Sequence, residues 1–146
     1  FAYNLGVIAV QRGAYQEAVQ QFSRAVRQKP GPDTLTALAN VHRLLDEDDE
    51  AERLYRLALE FDRGYHEAGF QLARLVARRS KAEAIELLQG NIAVIDARLG
   101  QGLAGVDAAV ILVKSLKALS GLAEAAGQQA IHQEAQQRLD AMDSSP

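Results

Sequence analysis

Three glycines near the C-terminal third of the chain match a nucleotide-binding pattern. Gly100, Gly102 and Gly105 have the spacing of GxGxxG, whose backbone approaches a pyrophosphate at the start of a helix. That chemistry needs a β-strand before the glycines, within a βαβ unit. Residues 85–99 have helical periodicity instead. The pattern is therefore interpreted as a connector between helices, and no cofactor site is predicted.

Histidine is the second residue type that could do chemistry. His42, His66 and His132 are the only histidines, and they lie in three separate helical segments. His66 begins an HExxH-like pattern, but Phe70 stands where the second metal-binding histidine would be. With no second histidine near it, His42 is expected to pack against the helices rather than to bind a metal.

An acidic run at residues 46–50 is the third candidate, and it could suggest calcium. The run lacks the glycine and the distal glutamate of an EF-hand loop. It is predicted to be a solvated turn whose charge favours the start of the next helix. The chain has no cysteine, which excludes thiol catalysis and zinc fingers. We therefore predict no catalytic residue, no metal and no enzyme activity.

Composition indicates which elements position the remaining candidates. The 146 residues include 26 Ala and 12 Arg, both good helix formers, and only three Pro. The longest apolar run, residues 108–113, is far shorter than the roughly 20 residues that span a bilayer, so no membrane insertion is predicted. A net charge of −3 argues against nucleic acid as a partner. The compartment stays open between cytoplasm, which we prefer, and periplasm.

A repeat of 33 residues organises the first two thirds of the chain. Small residues recur at this interval, and a large residue follows each of them four positions later: Ala18, Ala51 and Ala84, then Phe22, Tyr55 and Leu88. Each repeat contains two stripes of apolar residues at helical spacing. We therefore predict three helix pairs, at residues 1–32, 33–63 and 64–98, with the small residues at close helix contacts.

Residues 99–146 do not continue the repeat. A Gly-rich connector at 99–106 is predicted, with Asp107 capping a helix that runs to about Ala126, and then a last helix, Gln128 to Met142. The first of these helices is apolar nearly all round over residues 108–113. We expect it to be buried between the third helix pair and the last helix, as a capping hairpin. The N-terminal end has no such cap, so we expect further repeats, another domain or a second copy to cover it.

The first repeat resembles a tetratricopeptide repeat (TPR). The matching residues are Leu5-Gly6, Gly13, Tyr15, Ala18, Phe22, Ala25 and the closing Pro30. The second repeat keeps most of this pattern, and the third is less similar, with Asn91 in place of the late alanine. The resemblance implies an all-α fold of antiparallel helix pairs, stacked as a right-handed TPR-like solenoid with the C-terminal helical hairpin as its cap.

The resemblance also implies a working surface. In TPR proteins the first helix of each pair lines a concave groove that binds a peptide or partner domain. Asn40 would hold a peptide backbone by both donating and accepting hydrogen bonds, and Arg43 and Arg74 would hold carboxylates. Carried over to this chain, the groove residues are Tyr3, Val7, Val10, Asn40, Arg43, Phe70, Arg74 and Arg78.

The best-known TPR groove clamps the C-terminal carboxylate of chaperones with Lys, Asn and Arg. The corresponding positions here are Tyr3, Val7, Ala37, Glu67 and Gln71, which match none of them. The sequence therefore predicts a protein-interaction scaffold without that clamp. Two alternatives stay open. The chain is a non-catalytic segment of a larger enzyme such as a glycosyltransferase, or its residues 3–10 pack on an upstream repeat or in a homo-oligomer.

Overall fold

The computed structural model describes residues 1–102 and 105–145, and this part of the chain contains eight α-helices and no strand. The prediction of an all-α protein is therefore confirmed. None of the helices in these residues is long and apolar enough to cross a membrane. The helices, in chain order α1 to α8, are Ala2–Gln11, Tyr15–Gln28, Pro32–Leu44, Asp48–Phe61, His66–Val76, Lys81–Gly100, Val106–Ala125 and Gln129–Asp143.

The helices form two compact units, Phe1–Ala68 and Gly69–Pro146. In the first unit α1 packs on α2, α2 on α3, and α3 on α4. In the second unit α6 packs on α7, and α7 packs on α8. Helix α5 begins in the first unit and continues into the second. Helices α1 and α2 thus pack as one pair and α3 and α4 as the next, and the predicted bounds of three pairs, 1–32, 33–63 and 64–98, stay a prediction.

The repeated residues lie where helices approach each other. A small side chain lets two helix backbones come close, and a neighbouring large side chain fills the space beside the contact. All six residues of the 33-residue pattern are buried: Ala18, Ala51, Ala84, Phe22, Tyr55 and Leu88. This burial agrees with the predicted role of the repeat in helix packing.

Local sequence explains where the helices begin. Pro32 is the first residue of α3, a position where its missing N–H costs nothing. The Ser80 hydroxyl caps α6 by accepting the Glu83 N–H at 3.2 Å. Three residues of the acidic run, Asp48, Asp49 and Glu50, lie in the first turn of α4, where negative charge is favourable. The predicted role of the acidic run at a helix start is thus confirmed.

Equivalent positions in the first two repeats adopt a left-handed backbone. Gly13, after α1, has φ of 74°, and Asp46, 33 residues later, has φ of 59°. Glycine adopts this conformation freely, whereas a residue with a Cβ is strained there by about 1 kcal/mol. The second repeat therefore carries strain at Asp46 that the first repeat avoids.

We expect Asp46→Gly to raise the free energy of unfolding by about 0.5–1 kcal/mol, because it relieves the left-handed strain. The reverse change at the equivalent position, Gly13→Asp, should lower it by a similar amount. Urea denaturation followed by circular dichroism measures both. A loss of stability in Asp46→Gly would contradict the strain argument.

The C-terminal hairpin differs from its prediction in two respects. Gly105, not Asp107, precedes the first residue of α7, and Asp107 lies within the first turn. The cap prediction for Asp107 is therefore wrong, although its charge still favours the helix N-terminus. Helix α6 continues through Gly100, so the connector is shorter than predicted, and its residues 103 and 104 lie outside the described part of the chain.

Helix α7 has a buried side and an exposed side. It packs between α6 and α8, which confirms the predicted position between the third pair and the last helix. Its buried residues include Ala108, Ile111, Leu112 and Leu116, whereas Val110 is 48% exposed. The predicted burial on several sides thus holds for part of this segment and not for Val110, because two neighbouring helices cover only part of the helix circumference.

An ion pair joins the last helix to α6. The Arg138 guanidinium donates two hydrogen bonds to the Asp96 carboxylate, at 3.0 and 2.8 Å. These bonds raise the pKa of Arg138 above its ordinary value. Both side chains are more than a third exposed, so we expect the pair to orient α8 more than to stabilise it.

Candidate partner-binding grooves

A groove between α1 and α3 brings together four of the predicted site residues. It encloses about 220 Å³ and is lined by Tyr3, Val7, Val10, Gln11, Phe22, Ala37, Asn40, Val41 and Leu44. We call it the α1–α3 groove. Its lining is mainly apolar, and Tyr3 and Leu44 are 38% and 41% exposed. The surface is therefore able to bury apolar side chains of a partner.

The base of the α1–α3 groove is built from tightly packed aromatic rings. Phe22 is buried, and Tyr3 meets its ring edge-on with the ring centroids 5.5 Å apart. On the neighbouring turn, Gly6 is so close to Phe22 that an added Cβ would lie 2.6 Å from the ring carbon Cε1. The absence of a side chain at Gly6 thus sets the position of the Phe22 ring in the groove.

Asn40 is the groove residue with a fixed polar contact. Its side-chain oxygen accepts a hydrogen bond from the Tyr55 hydroxyl of α4, and Tyr55 itself is fully buried. We expect Asn40 to offer a peptide both a donor and an acceptor. The Tyr55 hydroxyl occupies one of the two lone pairs of the side-chain oxygen, so both N–H donors of the amide and the second lone pair remain for a partner.

Acidic groups surround the nearby Tyr65. Burial raises the pKa of the Tyr65 phenol, and the charges of Asp33, Glu67 and Asp62, together with Tyr3, raise it further. The phenol therefore stays neutral at physiological pH. The surroundings of Tyr65 are therefore electrostatically unfavourable for a carboxylate.

Arg43 lies on α3, one helical turn after Asn40, but does not line the α1–α3 groove. Its side chain is half-buried, and its Nε atom has no hydrogen-bond partner among the described residues. The structure therefore separates Arg43 from the four predicted residues that it brings together, and the carboxylate-binding role of Arg43 stays a prediction.

The remaining predicted residues lie in the second unit. Phe70 is 6% exposed and belongs to the core, so the expectation of an exposed Phe70 is wrong. Helix α5 turns this ring toward the core residues of α6 and α7. Arg74 and Arg78 are exposed, and the Arg74 guanidinium lies over the Phe70 ring, 5.6 Å from its centroid. That these residues and those of the first unit form a single continuous groove stays a prediction.

Solved structures share this succession of helices. The structural alignment with MamA covers 95% of this chain and 72% of the MamA chain, with 15% sequence identity and a TM-score of 0.72. The alignment with the TPR domain of Sgt2 from Aspergillus fumigatus covers 88% of this chain and 79% of that domain's chain, with 19% sequence identity and a TM-score of 0.69. A third structure is the first TPR of Spaghetti (RPAP3), bound to the HSP90 peptide SRMEEVD. Its alignment covers 82% of this chain and 90% of the RPAP3 chain, with 21% sequence identity and a TM-score of 0.61.

The chain has a TPR-like fold. No family model matches the chain, and no curated protein matches it in sequence. The likeness to solved structures confirms the predicted arrangement of sequential helix pairs. Within the TPR-like fold, the α1–α3 groove lies between the first helices of two successive pairs, where the sequence analysis expected a partner to bind.

His42 contacts a carboxylate in the TPR-like fold. The His42 ring nitrogen Nδ1 lies 2.9 Å from the Glu47 carboxylate, which ties the end of α3 to the start of α4. Among the residues that the structure describes, no group of three or more His, Asp or Glu side chains has the geometry of a metal site. The observed role of His42 is thus a contact between helices.

A serine–histidine contact, which the sequence analysis did not foresee, joins α7 to α8. His132 Nδ1 lies 2.9 Å from Ser120 Oγ and 3.0 Å from the Ser120 carbonyl oxygen. A carbonyl oxygen can only accept, so the tautomer with a proton on Nδ1 donates from His132 to the backbone of α7. Ser120 is also buried. The pair therefore links α7 to α8 within the C-terminal hairpin of the TPR-like fold.

Proposed function

We propose that the chain is a non-catalytic protein-interaction module that binds an extended peptide segment in the α1–α3 groove. The observation that carries this proposal is the groove itself: Tyr3, Val7 and Val10 line an accessible apolar surface beside the amide of Asn40. Apolar contacts would supply the affinity, and the amide N–H groups would donate to a main-chain carbonyl of the peptide.

The position of Asn40 supports this proposal because it is held before a partner arrives. The buried Tyr55 hydroxyl binds the side-chain oxygen, so the amide does not have to become ordered on binding. Pre-ordering a polar group lowers the entropic cost of association. We propose that Tyr55 is a positioning residue for the groove and does not itself contact the ligand.

We also propose that the ligand is not a C-terminal carboxylate held as in the chaperone clamp. Of the five clamp positions, Tyr3, Val7 and Ala37 line the α1–α3 groove, and none carries a positive charge. The acidic residues that act on Tyr65 lie near the same end. The peptide SRMEEVD, which the TPR of RPAP3 binds, is therefore expected not to bind in this groove.

A selection from a phage-displayed random peptide library, with the wild-type chain as bait, tests the proposal. For the selected peptides we expect Asn40→Ala to weaken binding by about tenfold, because a main-chain hydrogen bond at a desolvated site contributes about 1–2 kcal/mol. Tyr55→Phe should weaken binding by a smaller factor, since the amide loses its anchor but keeps its donors. Fluorescence anisotropy with synthetic copies of the peptides measures both effects.

The matched control is Asn4→Ala, which makes the same chemical change at an exposed position of α1 outside the groove. It should leave the affinity unchanged. Equal affinity for Asn40→Ala and Asn4→Ala, or a selection that returns no binding peptide, would contradict the proposed function. Binding of SRMEEVD that Asn40→Ala weakens would contradict the exclusion of a carboxylate ligand.

A further inference from the structure

A second pocket lies within the C-terminal unit, between α5 and α7. It has a volume of about 320 Å³, and we call it the α5–α7 pocket. Its floor is apolar and includes Leu88, Ala118 and Leu122. The sequence predicts α7 as part of the cap alone, with no binding surface on it. Helix α7 thus lines an open pocket, which its role as a cap does not explain.

Two positive charges border the α5–α7 pocket, and no carboxylate lines it. Arg74 comes from α5 and Lys117 from α7, and both side chains are exposed. Neither forms an ion pair with any residue that the structure describes. Two cations without counter-charges beside an apolar floor are complementary to a ligand that carries acidic groups next to an apolar side chain.

Arg74 is held in place at the edge of the pocket by its own helix. Its guanidinium lies over the buried Phe70 ring, 5.6 Å from the centroid, and donates a hydrogen bond to Gln71 at 3.4 Å. These contacts use the face of the guanidinium and one N–H group. The other N–H donors are left for a carboxylate, which arginine binds with two parallel hydrogen bonds.

Gly121 keeps the pocket open on the α7 side. It is exposed in the middle of the helix, and an added Cβ would meet no atom within 4 Å. Packing within the described chain therefore does not require glycine here, and glycine costs an exposed helix about 1 kcal/mol relative to alanine. A side chain at this position would occupy space in the pocket. A substitution at Gly121 can therefore fill the pocket without disturbing the core.

We propose that the α5–α7 pocket binds an acidic peptide segment, with Asp or Glu side chains contacting Arg74 and Lys117. A neighbouring apolar side chain of the peptide enters the pocket beside Gly121. This site is separate from the α1–α3 groove and does not depend on the function proposed for that groove. Its ligand also has the opposite electrostatic preference, because the first unit is acidic near Tyr65 whereas the α5–α7 pocket carries positive charge.

The first experiment selects peptides from a phage-displayed random library with two baits, the wild-type chain and the double variant Arg74→Glu/Lys117→Glu. We expect peptides recovered only with the wild type to be rich in Asp and Glu around an apolar residue. Their affinity should fall as salt concentration rises, since the contacts are charged. Wild-type-specific peptides that are neutral or basic, or none at all, would overturn the proposal.

The second experiment measures the affinity of a selected acidic peptide by fluorescence anisotropy. Gly121→Leu should weaken binding by at least about tenfold, or about 1.4 kcal/mol, because the leucine side chain occupies the pocket. The matched control is Gly90→Leu, since Gly90 is also exposed within a helix, has no atom near an added Cβ and does not line the pocket. Both variants should be folded and at least as stable as the wild type, because leucine favours helix over glycine.

Two further arms identify other sources of binding. Asn40→Ala should leave the affinity for the acidic peptide unchanged, whereas a loss would place the peptide in the α1–α3 groove and overturn this proposal. A fluorescent oligouridine tests whether the same cations serve RNA. Oligouridine binding that Arg74→Glu abolishes, without binding of acidic peptides, would also overturn it. Equal weakening by Gly121→Leu and Gly90→Leu would refute the role of the pocket.

Discussion

Replacing Gly6 with leucine is expected to lower the free energy of unfolding by about 3 kcal/mol or more. An added Cβ alone would lie 2.6 to 2.9 Å from three atoms of the Phe22 ring, closer than van der Waals contact permits. Phe22 is buried, so its ring cannot move aside without losing packing or displacing a neighbouring helix. In an exposed helix the same change would be stabilising, since leucine is the better helix former.

Urea denaturation followed by circular dichroism measures the effect of Gly6→Leu, and Gly90→Leu is the matched control. Gly90 has no atom within 4 Å of an added Cβ, so that variant should gain stability by a few tenths of a kcal/mol or more. The double variant Gly6→Leu/Phe22→Ala provides a direct test of the contact. Its loss of stability should be smaller than the sum of the two single losses, because the two residues compete for one space. Strict additivity would contradict the explanation.

Replacing Leu116 with alanine is expected to cost about 2–5 kcal/mol of stability. Leu116 lies on α7, is 1% exposed and belongs to the core of the C-terminal unit. Truncation would leave a cavity there, because α6 and α8 pack against α7 on both sides and cannot fully collapse into the space.

Val110→Ala on the same helix serves as the contrast to Leu116→Ala. Val110 is 48% exposed, so its truncation should cost no more than about 0.5 kcal/mol. Thermal and urea unfolding of the two variants compare the two sides of α7. Similar losses for Val110→Ala and Leu116→Ala would mean that α7 is buried all round and would contradict the structure.

The helices of this protein and their packing in pairs could be predicted from its sequence. The 33-residue spacing of Ala18, Ala51 and Ala84 was enough to place the helix pairs and their close contacts. This works because helical periodicity fixes which residues share a face, and a small residue on that face is required wherever two backbones meet. The same periodicity placed Tyr3, Val7, Val10 and Asn40 on the first helices of two successive pairs, and these residues line one groove.

The details of the sites could not be predicted in this way. Phe70 shares a helix with Arg74, yet the ring turns into the core while the guanidinium stays exposed above it. Periodicity alone assigned both residues to the groove. Whether a side chain on the edge of an apolar stripe is covered depends on the neighbouring helix, and α5 meets α6 and α7 through contacts distant in sequence.

Hydrogen bonds between different helices could not be predicted from the sequence either. Asn40 and Tyr55 are on different helices, so no local pattern indicates that the Tyr55 hydroxyl occupies the Asn40 oxygen. Ser120 and His132 likewise meet only because α7 and α8 fold back on each other. In both cases the chemistry available to a partner follows from what the neighbouring helix has already used.

The order of residues along this chain was therefore sufficient to predict an all-α protein of sequential helix pairs, because these properties follow from the apolar periodicity of each helix and its repetition along the chain. Packing between helices decided which side of α7 is covered, which groups of Asn40 remain available and which residues line the α5–α7 pocket. Burial and hydrogen bonding at these places are set by atoms that are far apart in sequence, and only the folded chain brings Arg74 and Lys117 to the edge of one pocket.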